Sequence, residues 1–227
     1  MQKFVLIMAG GTGQRMGSHT PKQFMLLKGK PVIMHAIERF LEYDSNINIV
    51  AVLPGEAVDQ WKMLCDQHKF NSRHTLVAGG DERFYSVKNG LKHTSSSSLI
   101  AVHDAVRPLV SVSVIRACFD MAEKNGSAIP VITIPESVRE LESSGTESRP
   151  LDRNSIRLVQ TPQVFRSDIL YKAYDCGYSP YFTDDATVAE RLGIKIGLVE
   201  GNSENIKITS PPDMIIAEAL LQTSKQI

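Results

Sequence analysis

The chain has 227 residues, of which 42% are hydrophobic and 22% charged, both near the average for globular proteins. This length suffices for one well-packed core, so we expect a single domain over residues 1–227. Lysine and arginine total 25, and aspartate and glutamate also total 25, which leaves no net positive charge to attract nucleic acid or an anionic membrane. We therefore expect neither as a partner, and any phosphate to be bound locally.

The three cysteines, Cys65, Cys118 and Cys176, have no metal-ligand spacing, and their odd number argues against a complete disulfide framework. Cys65 and Cys118 occur in amphipathic helical patterns, where we expect buried thiols that pack as small hydrophobic groups. No stretch of about 18 apolar residues is present, and the chain enters a core strand without a signal-like segment. These features predict a cytoplasmic protein.

The first strand is predicted at residues 4–8, an apolar run that continues directly into a glycine-rich loop. Ligands of open α/β sheets bind at the carboxyl ends of strands, and glycines there let main-chain N–H groups approach an oxyanion. The loop therefore predicts a phosphate-bearing ligand. Its candidate binding residues are Gly10, Gly11 and Gly13.

This loop matches neither of two familiar glycine-rich patterns. Gln14, Arg15 and Met16 stand where a P-loop requires Gly-Lys, and Met16 also breaks the Rossmann fingerprint. The chain instead offers two cations, Arg15 at the end of the loop and Lys22 shortly after it. Two fixed cations beside a glycine loop suit a polyphosphate.

Strands and helices alternate over the next hundred or so residues, which predicts an α/β fold with a mostly parallel, twisted sheet and right-handed crossovers. We interpret Trp61 as a packing residue and residues 95–98 as a solvated turn. The predicted strands are residues 47–53, 75–78, 99–102 and 128–134, and the predicted helices cover residues 33–41, 56–70, 86–91 and 113–125.

The pattern changes after Pro135. Residues 136–151 are polar, with Ser143, Ser144 and Gly145 near the centre and alternating segments on either side, which predicts a projecting β-hairpin. A floppy surface loop is the alternative. Long excursions from a compact domain tend to be functional or to engage a partner.

Alternation resumes beyond this arm, and we find no linker that would separate a second domain. The last helix has an N-cap candidate in Ser210 and prolines in its first turn. We predict strands at residues 156–160 and 194–200, an extended segment at 205–209, and helices at 166–175, 184–192 and 214–221.

Polar side chains recur where predicted strands end, and a parallel sheet would gather most of them along its carboxyl edge. No serine or cysteine lies in a nucleophile elbow, and we interpret His103 as a buried, hydrogen-bonded side chain. Cations, glycine-loop amides and carboxylates suit phosphoryl or nucleotidyl transfer. Asp104 is a candidate ligand for Mg²⁺. The converging candidates are Arg15, Lys22, Gly80, Asp81, Asp104, Arg107, Arg153 and Lys207.

Seven sequence blocks, in order along nearly the whole chain, resemble those of the polyol-phosphate cytidylyltransferases. The match is nearest to members that act on 2-C-methyl-D-erythritol 4-phosphate in non-mevalonate isoprenoid synthesis. This resemblance implies a Rossmann-like nucleotidyltransferase fold and a Mg²⁺-dependent reaction of the polyol phosphate with CTP, which releases pyrophosphate. The blocks are AGGTGQRM with PKQF, GGDERFYSV, HDAVRP, LDRN, QTPQVF, TDDA and VEGNSENIKIT.

The resemblance also assigns expected roles to individual residues. Arg15 and Lys22 would stabilise the charge of the pentacoordinate transition state, while Arg153 and Lys207 would orient the attacking phosphate. The positions that match the cytosine side of the family's pocket are Gly80, Asp81 and Ser86. Those expected near the ribose, the metal or the polyol, with the division among them left open, are Asp104, Arg107, Ser137, Thr161 and Thr183.

The family further implies a homodimer in which the arm of one subunit hooks over its partner and contributes to the partner's site. Three residues depart from the commoner family pattern, namely Ser137, Arg139 and Val106, and the block HDAVRP also occurs in ribitol-5-phosphate cytidylyltransferases. That activity is the closest alternative, although LDRNSIRLVQTPQVF favours methylerythritol phosphate. A non-catalytic nucleotide-binding protein is a third interpretation, which the combined presence of four candidate cations disfavours.

Overall fold

The computed structural model describes residues 1–10, 20–142 and 145–223. Its strands are β1 (Gln2–Met8), β2 (Leu26–Leu27), β3 (Lys30–Pro31), β4 (Asn48–Leu53), β5 (Thr75–Ala78), β6 (Ser98–Asp104), β7 (Ser127–Ile132), β8 (Val138–Leu141), β9 (Ser148–Leu151), β10 (Leu158–Val159), β11 (Gln163–Arg166) and β12 (Leu198–Glu200). Its α-helices are α1 (Val32–Tyr43), α2 (Val58–Gln67), α3 (Arg83–Leu91), α4 (Val112–Asn125), α5 (Ser167–Tyr174), α6 (Asp185–Glu190) and α7 (Pro211–Thr223). None of the helices in these ranges is long and apolar enough to cross a membrane.

Eight strands form the main sheet, in the order β10-β7-β11-β6-β1-β4-β5, with β12 also paired to β7. Strands β4, β1 and β6 pair in parallel, as do β4 with β5 and β12 with β7. Among these eight strands, β10 and β11 run against their neighbours. The prediction of a mostly parallel α/β sheet is therefore confirmed.

Two details of the predicted strands were wrong. We expected a strand over residues 156–160, but the structure has only the short β10 there. It also has an unpredicted strand, β11, between β6 and β7, directly before the helix that we predicted from residue 166. The sequence of β11 contains no long apolar run that would predict a strand. It is a strand because β6 and β7 supply main-chain hydrogen-bond partners on either side of it. Ser98, assigned to a solvated turn, is fully buried as the first residue of β6.

Helices cover both faces of the sheet because β1, β4 and β6 are apolar on both sides. On one face α1, α2 and α4 enclose a core around Ile7, Phe40 and Phe119. Trp61 belongs to this core and stacks on Phe24, which confirms its interpretation as a packing residue. On the other face α3, α5 and α6 pack over Leu6 and neighbouring side chains. This packing holds the carboxyl ends of β1, β5 and β6 along one edge.

The segment predicted as an arm is a β-hairpin that is separate from the main sheet. Strand β8 pairs antiparallel with β9, with Val138 opposite Leu151. Arg139 donates to the hydroxyl and carbonyl oxygens of Ser148, both at 2.8 Å, which fastens the two strands across their exposed face. The hairpin prediction for residues 136–151 is confirmed.

Candidate active site

A cleft of about 370 Å³ opens at the carboxyl edge of the main sheet. It begins where β1 and β6 end, at the paired positions Met8 and Asp104, and it continues to the turn after β5. Seven of the residues expected from sequence line this cleft. They are Gly10, Lys22, Gly80, Asp81, Ser86, Asp104 and Lys207.

The carboxylate of Asp104 is the charged centre of the cleft. Its Oδ2 atom lies 3.0 Å from Lys207 Nζ and 3.4 Å from Arg107 Nε. Burial by itself raises the pKa of Asp104, but the positive charges of Arg83, Lys207 and Arg107 outweigh it and hold that pKa well below its usual range. Asp104 is therefore ionised at neutral pH and neutralises part of a dense group of cations.

A buried hydrogen-bond network fixes Asp104 from beneath. Its N–H donates to Thr161 Oγ1 at 3.1 Å, and that hydroxyl lies 3.0 Å from His103 Nδ1. The other ring nitrogen, Nε2, lies 3.0 Å from the carbonyl oxygen of Arg107, which only accepts. Burial lowers the pKa of His103 to about 4, so the neutral ring donates from Nε2 and accepts the Thr161 hydroxyl proton at Nδ1. His103 is thus a buried, hydrogen-bonded side chain, as expected.

The turn after β5 forms the opposite side of the cleft. The N–H of Gly80 donates to Ser86 Oγ at 3.0 Å, and the same hydroxyl lies 3.3 Å from the Gly80 carbonyl oxygen. A Cβ atom added at Gly80 would come within 2.5 Å of Tyr85 Cβ, so only glycine lets the turn close this tightly. Ser86 therefore shapes the turn that presents Asp81.

Lys22 is positioned from the end of β1. It begins a 3-10 turn, Lys22–Phe24, in which the buried Gln23 donates from Nε2 to the carbonyl oxygen of Ala9 at 2.8 Å. Lys207 reaches the cleft from an extended segment, where the N–H of Ile208 donates to the Val106 carbonyl oxygen at 2.9 Å. Two distant parts of the chain thus place their lysines in one cleft.

Not every expected site residue lies there. Gly11, Gly13 and Arg15 lie outside the described residues. Arg107 and Thr161 contact Asp104 behind the cleft wall. The remaining three, Arg153, Ser137 and Thr183, are exposed and do not line the cleft. Arg153 sits at the base of the hairpin, where its Nη1 donates to the carbonyl oxygen of Pro135.

Sequence reasoning missed several residues that build this site. Asn205 is fully buried, donates from Nδ2 to the Thr161 carbonyl oxygen at 2.9 Å, and accepts from Arg107 Nη1 at 2.8 Å through its main-chain oxygen. Arg83 lines the cleft and pairs with the buried Asp185. All three residues lie within the blocks that carry the family resemblance, and this position in the sequence could have marked them as site residues.

Comparison with known proteins agrees with this architecture. Residues 3–223 match the family model of 2-C-methyl-D-erythritol 4-phosphate cytidylyltransferase. The protein of that name from Bacteroides thetaiotaomicron is 48% identical over 221 residues, which cover 97% of this chain and 100% of that protein. Its counterpart from Porphyromonas gingivalis is 46% identical, with 97% and 98% covered.

Solved structures show the same fold. The 4-diphosphocytidyl-2C-methyl-D-erythritol synthase of Anaerococcus prevotii has a TM-score of 0.82 at 25% identity and covers 97% of this chain and 98% of that one. The 2-C-methyl-D-erythritol 4-phosphate cytidylyltransferase of Thermus thermophilus has a TM-score of 0.74 at 28% identity, covering 98% and 100%.

The α/β sheet, with a charged cleft at its carboxyl edge, and these matches together define the chain as a nucleotidyltransferase. It belongs to the family of 2-C-methyl-D-erythritol 4-phosphate cytidylyltransferases, as the sequence blocks indicated.

Proposed function

We propose that this cleft transfers the cytidylyl group of CTP to the phosphate of 2-C-methyl-D-erythritol 4-phosphate. The products are the CDP-linked methylerythritol and pyrophosphate, on the route to isoprenoids. The observation that carries the proposal is the convergence of Lys22, Lys207 and Asp104 in one cleft at the carboxyl edge of the sheet. Such an arrangement of fixed charges supplies what nucleotidyl transfer mainly needs, positioning and stabilisation of developing negative charge.

In the proposed reaction, an oxygen of the polyol phosphate attacks the α-phosphorus of CTP. A new P–O bond forms, the bond from the α-phosphorus to the α,β-bridging oxygen breaks, and pyrophosphate leaves with that electron pair. Lys22, together with Arg15, offsets the charge that grows on the α-phosphoryl oxygens. Lys207 orients the attacking phosphate, and its ion pair with Asp104 limits the directions in which the ammonium group can point.

We assign the nucleoside to the side of the cleft formed by Gly80, Asp81 and Ser86. Support comes from the closed turn at Gly80, which holds main-chain groups at the rim with little freedom. Asp104 lines the cleft beside Lys207, with Arg107 and Thr161 behind it, and we place Thr183 on the polyol side.

Mg²⁺ is the proposed metal, and Asp104 is its candidate ligand. Lys207 and Arg107 both contact Oδ2, and none of the hydrogen bonds among residues 1–10, 20–142 and 145–223 uses Oδ1. A carboxylate oxygen without a hydrogen bond in those ranges fits an ion that commonly takes one or two protein ligands and completes its shell with water and phosphate. When bound, Mg²⁺ would neutralise triphosphate charge.

We further propose a homodimer in which each hairpin reaches the partner's cleft. Arg153 and Ser137 lie at the base of a hairpin that is separate from the main sheet, and neither lines the cleft of its own chain. A second copy of the chain would bring them to the polyol phosphate. The cytoplasm remains the proposed location, supported by the free thiols of the three cysteines.

A CTP assay with two acceptors tests the activity. Pyrophosphate release should be fast with 2-C-methyl-D-erythritol 4-phosphate and at least about a hundredfold slower with ribitol 5-phosphate, because misplacing the attacking phosphate by about 1 Å costs that much. Preference for ribitol 5-phosphate would replace the proposed acceptor. Nucleotide binding without turnover on either acceptor would instead identify a binding protein.

A further inference from the structure

Asp185 is a buried carboxylate with no role in the reaction described above. Its side chain is fully buried, yet it accepts three hydrogen bonds. Arg83 donates to both oxygens, from Nη1 to Oδ1 at 3.0 Å and from Nη2 to Oδ2 at 2.7 Å, and the Tyr174 hydroxyl donates to Oδ1 at 2.6 Å. Both Arg83 nitrogens thus sit in a fixed fork, the geometry that leaves a guanidinium least freedom.

Arg83, one member of this ion pair, lies next to the turn that we assign to the nucleoside. Arg83 is the first residue of α3 and directly follows the turn that contains Gly80 and Asp81, and its side chain lines the cleft. Within α3, Ser86 holds Gly80 by two hydrogen bonds. Arg83 adds the connection from this turn to another element of the fold.

The other end is anchored to the strand beside β6. Asp185 is the first residue of α6, and Gln163 of β11 clamps the start of that helix. Gln163 donates to Asp184 Oδ2 and accepts from the Ala186 N–H, both at 2.8 Å. Strand β11 pairs with β6, and Gln163 lies opposite Val102, two residues before Asp104.

We propose that Asp185 is a positioning residue for nucleotide recognition. It holds Arg83, and through it the turn at Gly80 and Asp81, at a fixed distance from Asp104. This inference rests on the proposed function, because it assigns the turn to the nucleoside. A buried ion pair is weak evidence for added stability, since apolar residues of similar volume often stabilise a core equally well. The two hydrogen bonds from Arg83 to Asp185 hold the turn in one orientation, which apolar packing would not do.

The test compares CTP with UTP, because the ratio of kcat/KM for the two nucleotides does not depend on the fraction of folded enzyme. Asp185→Asn keeps the side-chain volume but removes the charge that pairs with Arg83. We expect this ratio to fall about tenfold or more and KM for CTP to rise, because small displacements of binding groups are costly. Asp185→Glu restores a carboxylate and should recover part of the ratio.

A matched control exists in the same protein. Arg166 and Asp168 also form a two-point pair, with both N–O distances 3.0 Å, but on the exposed start of α5. Asp168→Asn should leave the ratio unchanged. A second variant, Arg83→Met with Asp185→Leu and Tyr174→Phe, replaces the ionic cluster by apolar packing, and it should fold while losing nucleotide discrimination.

The outcomes separate the two proposals. If the wild-type chain fails to transfer the cytidylyl group to any polyol phosphate, the proposed function fails. If the wild-type chain is active and Asp185→Asn lowers only thermal stability, with KM and the CTP to UTP ratio unchanged, the positioning role is overturned. A folded apolar variant with wild-type discrimination would overturn it as well.

Discussion

Lys207 Nζ lies 3.0 Å from Asp104 Oδ2, so an extended segment near the C-terminus meets the end of a central strand. The contact matters because Asp104 is buried while Lys207 is nearly half exposed. The buried carboxylate restricts the conformations of the Lys207 side chain, and the ammonium group remains accessible to an incoming phosphate. A single ion pair thus joins the segment that contains Lys207 to the end of β6.

Replacing Lys22 by alanine should slow turnover about a hundredfold or more and leave CTP binding largely intact. Loss of one preorganised donor that stabilises transition-state charge typically has an effect of this size. Single-turnover kinetics and equilibrium CTP binding would measure the two quantities separately. Lys172→Ala, an exposed lysine of α5 outside the cleft, is the matched control. Near-normal turnover of Lys22→Ala would remove Lys22 from the mechanism.

Arg153→Ala should chiefly impair use of the polyol phosphate. We expect KM for that substrate to rise at least about tenfold, because a charge-assisted contact to phosphate is worth roughly 1.5–3 kcal/mol, while KM for CTP changes little. Steady-state assays that vary one substrate at a time would show this. Arg157→Ala, an exposed neighbour that donates to nearby carbonyl oxygens, serves as control. A selective loss of CTP affinity would contradict the assignment.

Mixing two impaired variants, assayed at a polyol-phosphate concentration well below KM, tests exchange of the hairpin. In a mixed dimer of Lys22→Ala and Arg153→Ala subunits, one site would carry both defects and the other neither. After subunit exchange, about a quarter of wild-type activity should return, because half of the randomly formed dimers are mixed and each has one intact site. No recovery, with mixed dimers demonstrated by tagging, would show that each site uses its own Arg153.

Asp104→Asn should destabilise the protein by about 3 kcal/mol, because Arg107 and Lys207 would face each other without their shared carboxylate. Urea unfolding at neutral pH measures this loss. Asp168→Asn, which breaks an exposed pair, should cost much less, because solvent screens the charges of that pair.

The destabilisation caused by Asp104→Asn should depend on pH. Folding lowers the pKa of Asp104, so its ionised form contributes stability above the unfolded-state pKa of about 3.9. That contribution is lost as the pH falls from there toward the folded-state pKa. The difference in free energy of unfolding between wild type and Asp104→Asn should therefore shrink below about pH 4. A difference that stays constant from pH 7 to pH 3 would contradict the lowered pKa.

The sequence by itself determined the class of fold and most of the residues around the cleft. Strands such as β1, β4 and β6 are continuous apolar runs because they are buried on both faces, so their pattern is legible without a structure. The polar residues at the end of β6 could be recognised for the same reason, whereas the turn at Gly80 follows the short edge strand β5 and was recognised from its glycines. Seven ordered blocks then identified the family.

Only the tertiary structure decided how those residues meet. Strand β11 has no apolar run, and its place between β6 and β7 arises from main-chain pairing that no local pattern encodes. The pair of Arg83 and Asp185 joins two helix starts that are far apart in the chain, and the partners of a charged side chain depend on that geometry. Local patterns report which residues are buried, whereas ion pairs and inserted strands depend on contacts between distant segments.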